Sequence, residues 1–151
     1  PAEVLEALEV KPMTDVADII AQGGWGALGS HGEHHGLAPH WELWMGASAL
    51  GNHAALEVAS LHGARLLGAD QDIGSLAVGK LADLIVLNGN PLQNIRATAD
   101  ARYVMKGGVL YDAMSLDQLW PKAVPYGPVY WVNDDELQRN VKGVDAFDRK
   151  P

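Results

Sequence analysis

The chain has 151 residues, 48% of them hydrophobic, a mean hydropathy of −0.05 and a net charge of −8. That is enough apolar material for one ordinary core or two small ones, and it excludes a disordered composition. The acidic balance argues against nucleic-acid and anionic-membrane partners, and no apolar run reaches the roughly 18–20 residues that span a bilayer.

Cysteine is absent, which excludes disulfides and thiolate metal sites. The charge is unevenly spread: residues 1–64 hold eight acids against Lys11 alone, and residues 65–151 hold eleven acids against ten bases. Two regions of different character are expected. Pro1 opens the chain with neither a basic n-region nor an apolar leader, so the start reads as processed or as the cut end of a longer protein.

Residues 3–9 form a short helical candidate closed by Lys11-Pro12. Thr14 is placed to cap a helix over 15–22, in which Val16, Ile19 and Ile20 share one face and Gly23-Gly24 is the stop. WGALGS (25–30) reads as a buried strand, and a helix, a two-glycine loop and a buried strand are the αβ half of a parallel α/β unit. HGEHHGLAP (31–39) is a polar loop. A helix over 40–50 follows with Pro39 in its first turn, and Asn52 is a candidate cap for a second helix, 54–67, ending at Gly68. Inside that helix, Gly63 would admit a close backbone approach.

The pattern changes after Gly68. IGSLAVGKLADLIVLNGNPL (73–92) carries a turn at Val78-Gly79-Lys80 and a strand at 84–87. RYVMKGGVLY (102–111) reads as a hairpin around Lys106-Gly107-Gly108. The proline- and aromatic-rich stretch WPKAVPYGPVYW (120–131) suits a segment that wraps an existing surface. Three regions result: 1–68, 69–112 and an extension over 113–151. A parallel strand at 25–30 needs neighbours that the chain does not offer, so the first region reads as a fragment.

Five of the six histidines fall within residues 31–53. Imidazole and carboxylate ligate zinc-like ions and serve as general bases, and the loop carrying His31, Glu33, His34, His35 and His40 follows the carboxyl end of the predicted strand, where α/β folds place their sites. A polar surface loop with incidental histidines explains the same composition. The spacing fits no self-contained zinc motif, and His34 and His35, being adjacent, point opposite ways in an extended segment. His53 and His62 suit structural roles. Trp44 and Met45 suit core packing of a helix face, as does Trp41, for which substrate stacking is the lesser alternative.

ALEVASLHGARLLGADQDIGSLAVGKLADLIVLNGNPL (55–92), followed by RYVMKGGVLYD (102–112), resembles the C-terminal region of the metal-dependent amidohydrolase superfamily. WGALGSHGEHHGLAPHWELWM (25–45) and DQLWPKAVPYGPVYW (117–131) resemble its imidazolonepropionase-like members, whose chains often carry a TolB-like propeller. The resemblance implies an α/β fold: the C-terminal fragment of a (β/α)8 TIM barrel, with strands of its appended small β-sandwich. It implies hydrolysis of amide or other C–N bonds with a divalent metal (zinc, or alternatively manganese or iron) and a small-molecule amide or dipeptide substrate. The principal ligand segments of that family have no counterpart here, so the chain alone is expected to be inactive.

In the family an aspartate in a G-T-D-like motif follows the eighth strand. The matching positions here are Gly29, Ser30 and His31. A histidine can ligate metal or act as base but cannot supply the carboxylate's charge. His31 is therefore implied as metal ligand, base or pocket residue, Glu33 as the displaced acid, and His35 and His40 as substrate contacts. A different reading is a non-enzymatic module whose histidine loop binds metal and whose uncovered apolar faces drive homo-oligomerisation. Relatives with propellers suggest export or a periplasmic location by analogy, with a cytoplasmic location as the alternative.

Overall fold

The computed structural model describes residues 14–30 and 36–127. The expected helix at 3–9, the loop residues His31 to His35 and the chain beyond 127 lie outside them. The architecture is mixed α/β: a helical layer followed by a small antiparallel sheet.

Helix α1 occupies residues 14–21. Its end is a two-bond glycine stop, in which Gly23 N–H donates to Ile20 O and Gly24 N–H to Ile19 O, both at 2.9 Å. Gly23 takes φ +88°, the left-handed conformation this stop requires. The same device ends the last helix, where Gly68 N–H donates to Arg65 O and Ala69 N–H to Ala64 O.

The predicted strand at 25–30 is not paired. Burial nonetheless alternates over residues 24–30: Gly24, Gly26, Leu28 and Ser30 are half-buried, while Trp25, Ala27 and Gly29 are exposed. Period-two burial is the mark of an extended segment with one face on a layer. That layer is helical, since a Cβ on Gly26 would lie 3.3 Å from Val16 and 3.8 Å from Val58. Among the described residues no strand lies beside it to take up its backbone groups, so it makes no sheet.

Helix α2 spans Ala38–Leu50, with proline in its first turn, and ends at Gly51, whose N–H donates to Ala47 O. Asn52 does not cap the next helix. Gly51 holds that position, and the Asn52 Nδ2 instead donates to Leu92 O at 3.0 Å, tying the helices to the later loop. The predicted helix 54–67 is three joined pieces: α3 (Asn52–Glu57), a π turn (Val58–His62) and α4 (Gly63–Leu66). At the π turn the Ser60 hydroxyl bonds back to Leu56 O at 2.6 Å, and Gly74 lies against the same turn, where an added Cβ would sit 3.2 Å from Ser60 O. Gly63 has only ordinary room beside it; the close approach belongs to Gly74. The core is small: Leu43, Ala47 and Ala55, with Leu28, Leu56 and Ile95 packed around it.

The sheet is a meander of β1 (Leu84–Leu87), β2 (Ala101–Lys106), β3 (Val109–Asp112) and β4 (Gln118–Trp120), in that spatial order. The expected strand at 84–87 and the hairpin over 102–111 are both present. Gly107 and Gly108 have φ +56° and +80°, the pair of left-handed residues that a tight hairpin turn demands, and Lys106 pairs with Val109 across it. Asp83 secures the turn by accepting from Gly107 N–H at 2.6 Å and from the Lys106 ammonium. A 3-10 turn, Ile95–Ala99, lies between β1 and β2 and packs on α2.

Candidate functional site

Of the residues singled out by sequence, His31, Glu33 and His35 lie outside the described residues. His40 stands in the first turn of α2, and its surroundings are specific. Its Nδ1 is 3.3 Å from the hydroxyl of Thr98, which is buried in the 3-10 turn. The Trp44 indole N–H, one helical turn on, donates to Thr98 Oγ1 at 3.0 Å and to Ile95 O at 3.1 Å. The Thr98 hydroxyl is itself 2.9 Å from Ile95 O. Arg96 lays its guanidinium 4.2 Å from the centre of the Trp44 ring, and the His40 and Trp44 rings are 6.2 Å apart and tilted. Partial burial holds the His40 pKa below its ordinary value, so the ring is neutral at physiological pH. Trp44 thus does pack, as its position suggested, but through a polar hub rather than a purely apolar face.

A second feature lies at the carboxyl end of segment 24–30. Glu42 accepts the Gly29 N–H at 2.7 Å, and beside this bond is a cavity of about 340 Å³. Val16, Leu28, Leu43, Met45 and Val58 line it, so its walls are apolar with one carboxylate at the edge. The sequence gives Glu42 no role of its own, because its partner is thirteen residues away across a loop. The only local signal was its place two residues after His40, on the same short helical turn.

His53 and His62, for which structural roles were expected, stand apart from this hub. His53 pairs with Glu57 at 3.7 Å on an exposed helix face, and His62 lies in the π turn, its Nδ1 buried with no hydrogen-bond partner among the described residues. Among the described residues no group of three or more His, Asp or Glu side chains converges as a metal-ligand set. The described part of the chain does not by itself fit a metal centre.

Residues 37–111 match the Amidohydrolase family. A 5′-deoxyadenosine deaminase of Methanobrevibacter smithii is 44% identical over 46 residues, which is 30% of this chain and 11% of that protein. Among solved structures, a prolidase complexed with N-methylphosphonate-L-proline is similar at 35% identity and a TM-score of 0.58, covering 66% of this chain and 26% of that one. A Xaa-Pro dipeptidase with methionine bound in its active site is similar at 32% identity and a TM-score of 0.50, covering 52% and 20%. The chain therefore spans about a quarter or less of the length of the proteins it matches.

Proposed function

Taking residues 37–111 as a segment of the amidohydrolase family, we propose that the chain is the C-terminal part of a divalent-metal hydrolase of amide or other C–N bonds, with a dipeptide as substrate. The observation that carries this is the 35% identity over two thirds of the chain to a prolidase holding a proline phosphonate, a dipeptide-like ligand. In this reading segment 25–30 is the last strand of a (β/α)8 barrel, α2 and α3 are the helices after it, and β1 to β4 belong to the appended β-sandwich. The motifs over 25–45 and 117–131 favour the imidazolonepropionase-like branch.

The metal is zinc, with manganese or iron as alternatives, and it is held mainly by residues of the parent protein outside this chain. His31 is this chain's contribution to the metal and its water, Glu33 is the displaced acid, and His35 and His40 contact the substrate. The barrel remnant carries too few ligands to turn over alone. The deciding assay is hydrolysis of glycyl-proline with added zinc or manganese, by the 151-residue chain and by the longer parent protein. We expect turnover by the parent and none by the chain; robust turnover by the isolated chain that His31→Ala abolishes would sink the fragment reading.

A self-associating module without catalysis is the second reading. Large apolar side chains stand exposed along the sheet and its loops, including Leu76 at 79%, Ile85 at 60% and Trp120 at 57%. Solution mass and metal analysis separate the two. Stoichiometric tight metal in the isolated chain favours a local metal-binding module, and metal-free oligomers fit a remnant that has covered its own apolar faces.

A further inference from the structure

We infer that Thr98 is a positioning residue for His40: it fixes the imidazole as the Nδ1–H tautomer and leaves the Nε2 lone pair to accept a hydrogen bond from an N–H donor of the substrate, an amide or an ammonium group. The inference rests on the reading above in which His40 contacts substrate.

The argument is one of donor and acceptor inventory. A threonine hydroxyl has one hydrogen and two lone pairs. The indole N–H can only donate and is shared between Thr98 Oγ1 at 3.0 Å and Ile95 O at 3.1 Å; its nearer arm occupies one lone pair of Thr98 Oγ1 and leaves the second lone pair of Ile95 O open. The hydroxyl hydrogen then has two destinations, Ile95 O at 2.9 Å or His40 Nδ1 at 3.3 Å. The carbonyl is the closer by several tenths of an ångström and lies three residues back along the 3-10 turn, where a threonine hydroxyl bonds naturally. With its hydrogen on Ile95 O, Thr98 has one lone pair left facing His40, and Nδ1 must supply the proton. A neutral imidazole carries one ring proton, so Nε2 is then an acceptor. Among the described residues nothing donates to Nε2.

Thr98 comes from the turn between β1 and β2, and His40 from the first turn of α2, which follows the histidine loop. The sheet region therefore sets the state of a side chain on the helical layer that carries the candidate site. This gives the buried hydroxyl at Thr98 a function that a packing residue of equal size would not have.

The test is the long-range ¹H–¹⁵N spectrum of the 151-residue chain labelled at histidine, recorded at pH 8, with the His40 signals assigned by their loss in His40→Gln. The expected pattern is the protonated Nδ1 and bare Nε2, the reverse of what a free imidazole favours. Thr98→Val should return the ring to the Nε2–H form, and Thr98→Ser, which keeps the hydroxyl, should restore the native pattern. An Nε2–H ring in the unaltered chain overturns the inference, as does a Thr98→Val ring that stays Nδ1–H. If Thr98→Val does not fold, the unaltered chain and Thr98→Ser decide the matter. The readout needs no substrate, so the two readings fail separately: absent hydrolysis in the parent overturns the proposed activity, and a wrong tautomer overturns the role of Thr98.

Discussion

Glu42 accepts the Gly29 backbone N–H at 2.7 Å, and this bond joins the end of an unpaired extended segment to the first turns of α2. A backbone donor at that position would find its partner in a neighbouring strand if one were present. Here a side-chain carboxylate does the work of one strand bond. Glu42→Ala should therefore lower stability by about 1 kcal/mol, the typical net value of one hydrogen bond, while Glu42→Gln, which keeps an acceptor, should lose less. Urea denaturation of the three chains measures the difference, and equal midpoints for all three would show that the bond adds nothing.

Two glycines with nearly the same backbone angle should respond differently to alanine. Gly23 and Gly74 have φ +88° and +87°, so each substitution carries the left-handed backbone penalty of ~1–2 kcal/mol. A Cβ at position 23 meets nothing within 4 Å, whereas at position 74 it would lie 2.5 Å from Ala64 Cβ and 3.2 Å from Leu61 Cα. The backbone of loop 69–82 would have to lift from the π turn. Gly74→Ala should thus be the more damaging by a further ~1–3 kcal/mol of overpacking, and the two melting temperatures should fall in that order.

Two pH windows follow from the shifted groups. His40 is held below its ordinary value of 6.5 by burial, so the unfolded chain binds that proton more readily than the folded one. Its contribution is complete above pH 6.5 and declines as the pH falls toward the lowered folded value. Asp83 is held below its ordinary 3.8 by the Lys106 hydrogen bond first and the Gly107 N–H second, and Asp112 by the Ser115 and Met114 N–H groups. Their contribution is present above pH 3.8 and is lost as the pH falls through the lowered folded values. His40→Gln should flatten the upper slope of stability against pH, and Asp83→Asn should weaken the lower one. Denaturation midpoints taken from pH 8 to pH 2 read both.

The parts of the fold legible in the sequence are those fixed by neighbours along the chain. Gly23 and Gly68 mark helix ends because a left-handed residue is needed there, and Gly107-Gly108 marks the hairpin for the same reason. Leu84–Leu87 is legible because four apolar residues between turn signals suit a strand. The segment 25–30 has the composition of a buried strand, and its alternating burial keeps that imprint, but pairing is a property of a partner and cannot be written in one segment. What escaped is long-range: the π turn, set where Gly74 meets Ser60 and Leu61, the Glu42–Gly29 bond, and the Thr98 hub, whose members are 54 and 58 residues apart. For the candidate site, the histidine cluster singles out His40 as an expected substrate contact, while Thr98 has no local signature at all.

Lys80, from the GKLAD stretch, offers the last test. Its ammonium donates to Ile73 O at 3.2 Å, to Ser75 Oγ at 2.7 Å and to Asp70 O. Three oxygens from six residues of loop thus converge on one cation, and the loop they belong to is the one whose Gly74 presses on the π turn. An ammonium has three donors and fits this arrangement, whereas a planar guanidinium does not. Lys80→Met keeps the stem and removes the charge, leaving two partly buried carbonyls without their donor. At ~1.5–3 kcal/mol for hydrogen bonds to a charged group, reduced for the exposed Ser75 partner, the loss should be about 2 kcal/mol. The effect should also be local: amide hydrogen exchange should accelerate over residues 69–76 and at the π turn, and remain unchanged in the β2–β3 hairpin. Lys80→Arg should not rescue it. Uniform acceleration across the sheet would instead mean that Lys80 supports the whole fold, not this loop.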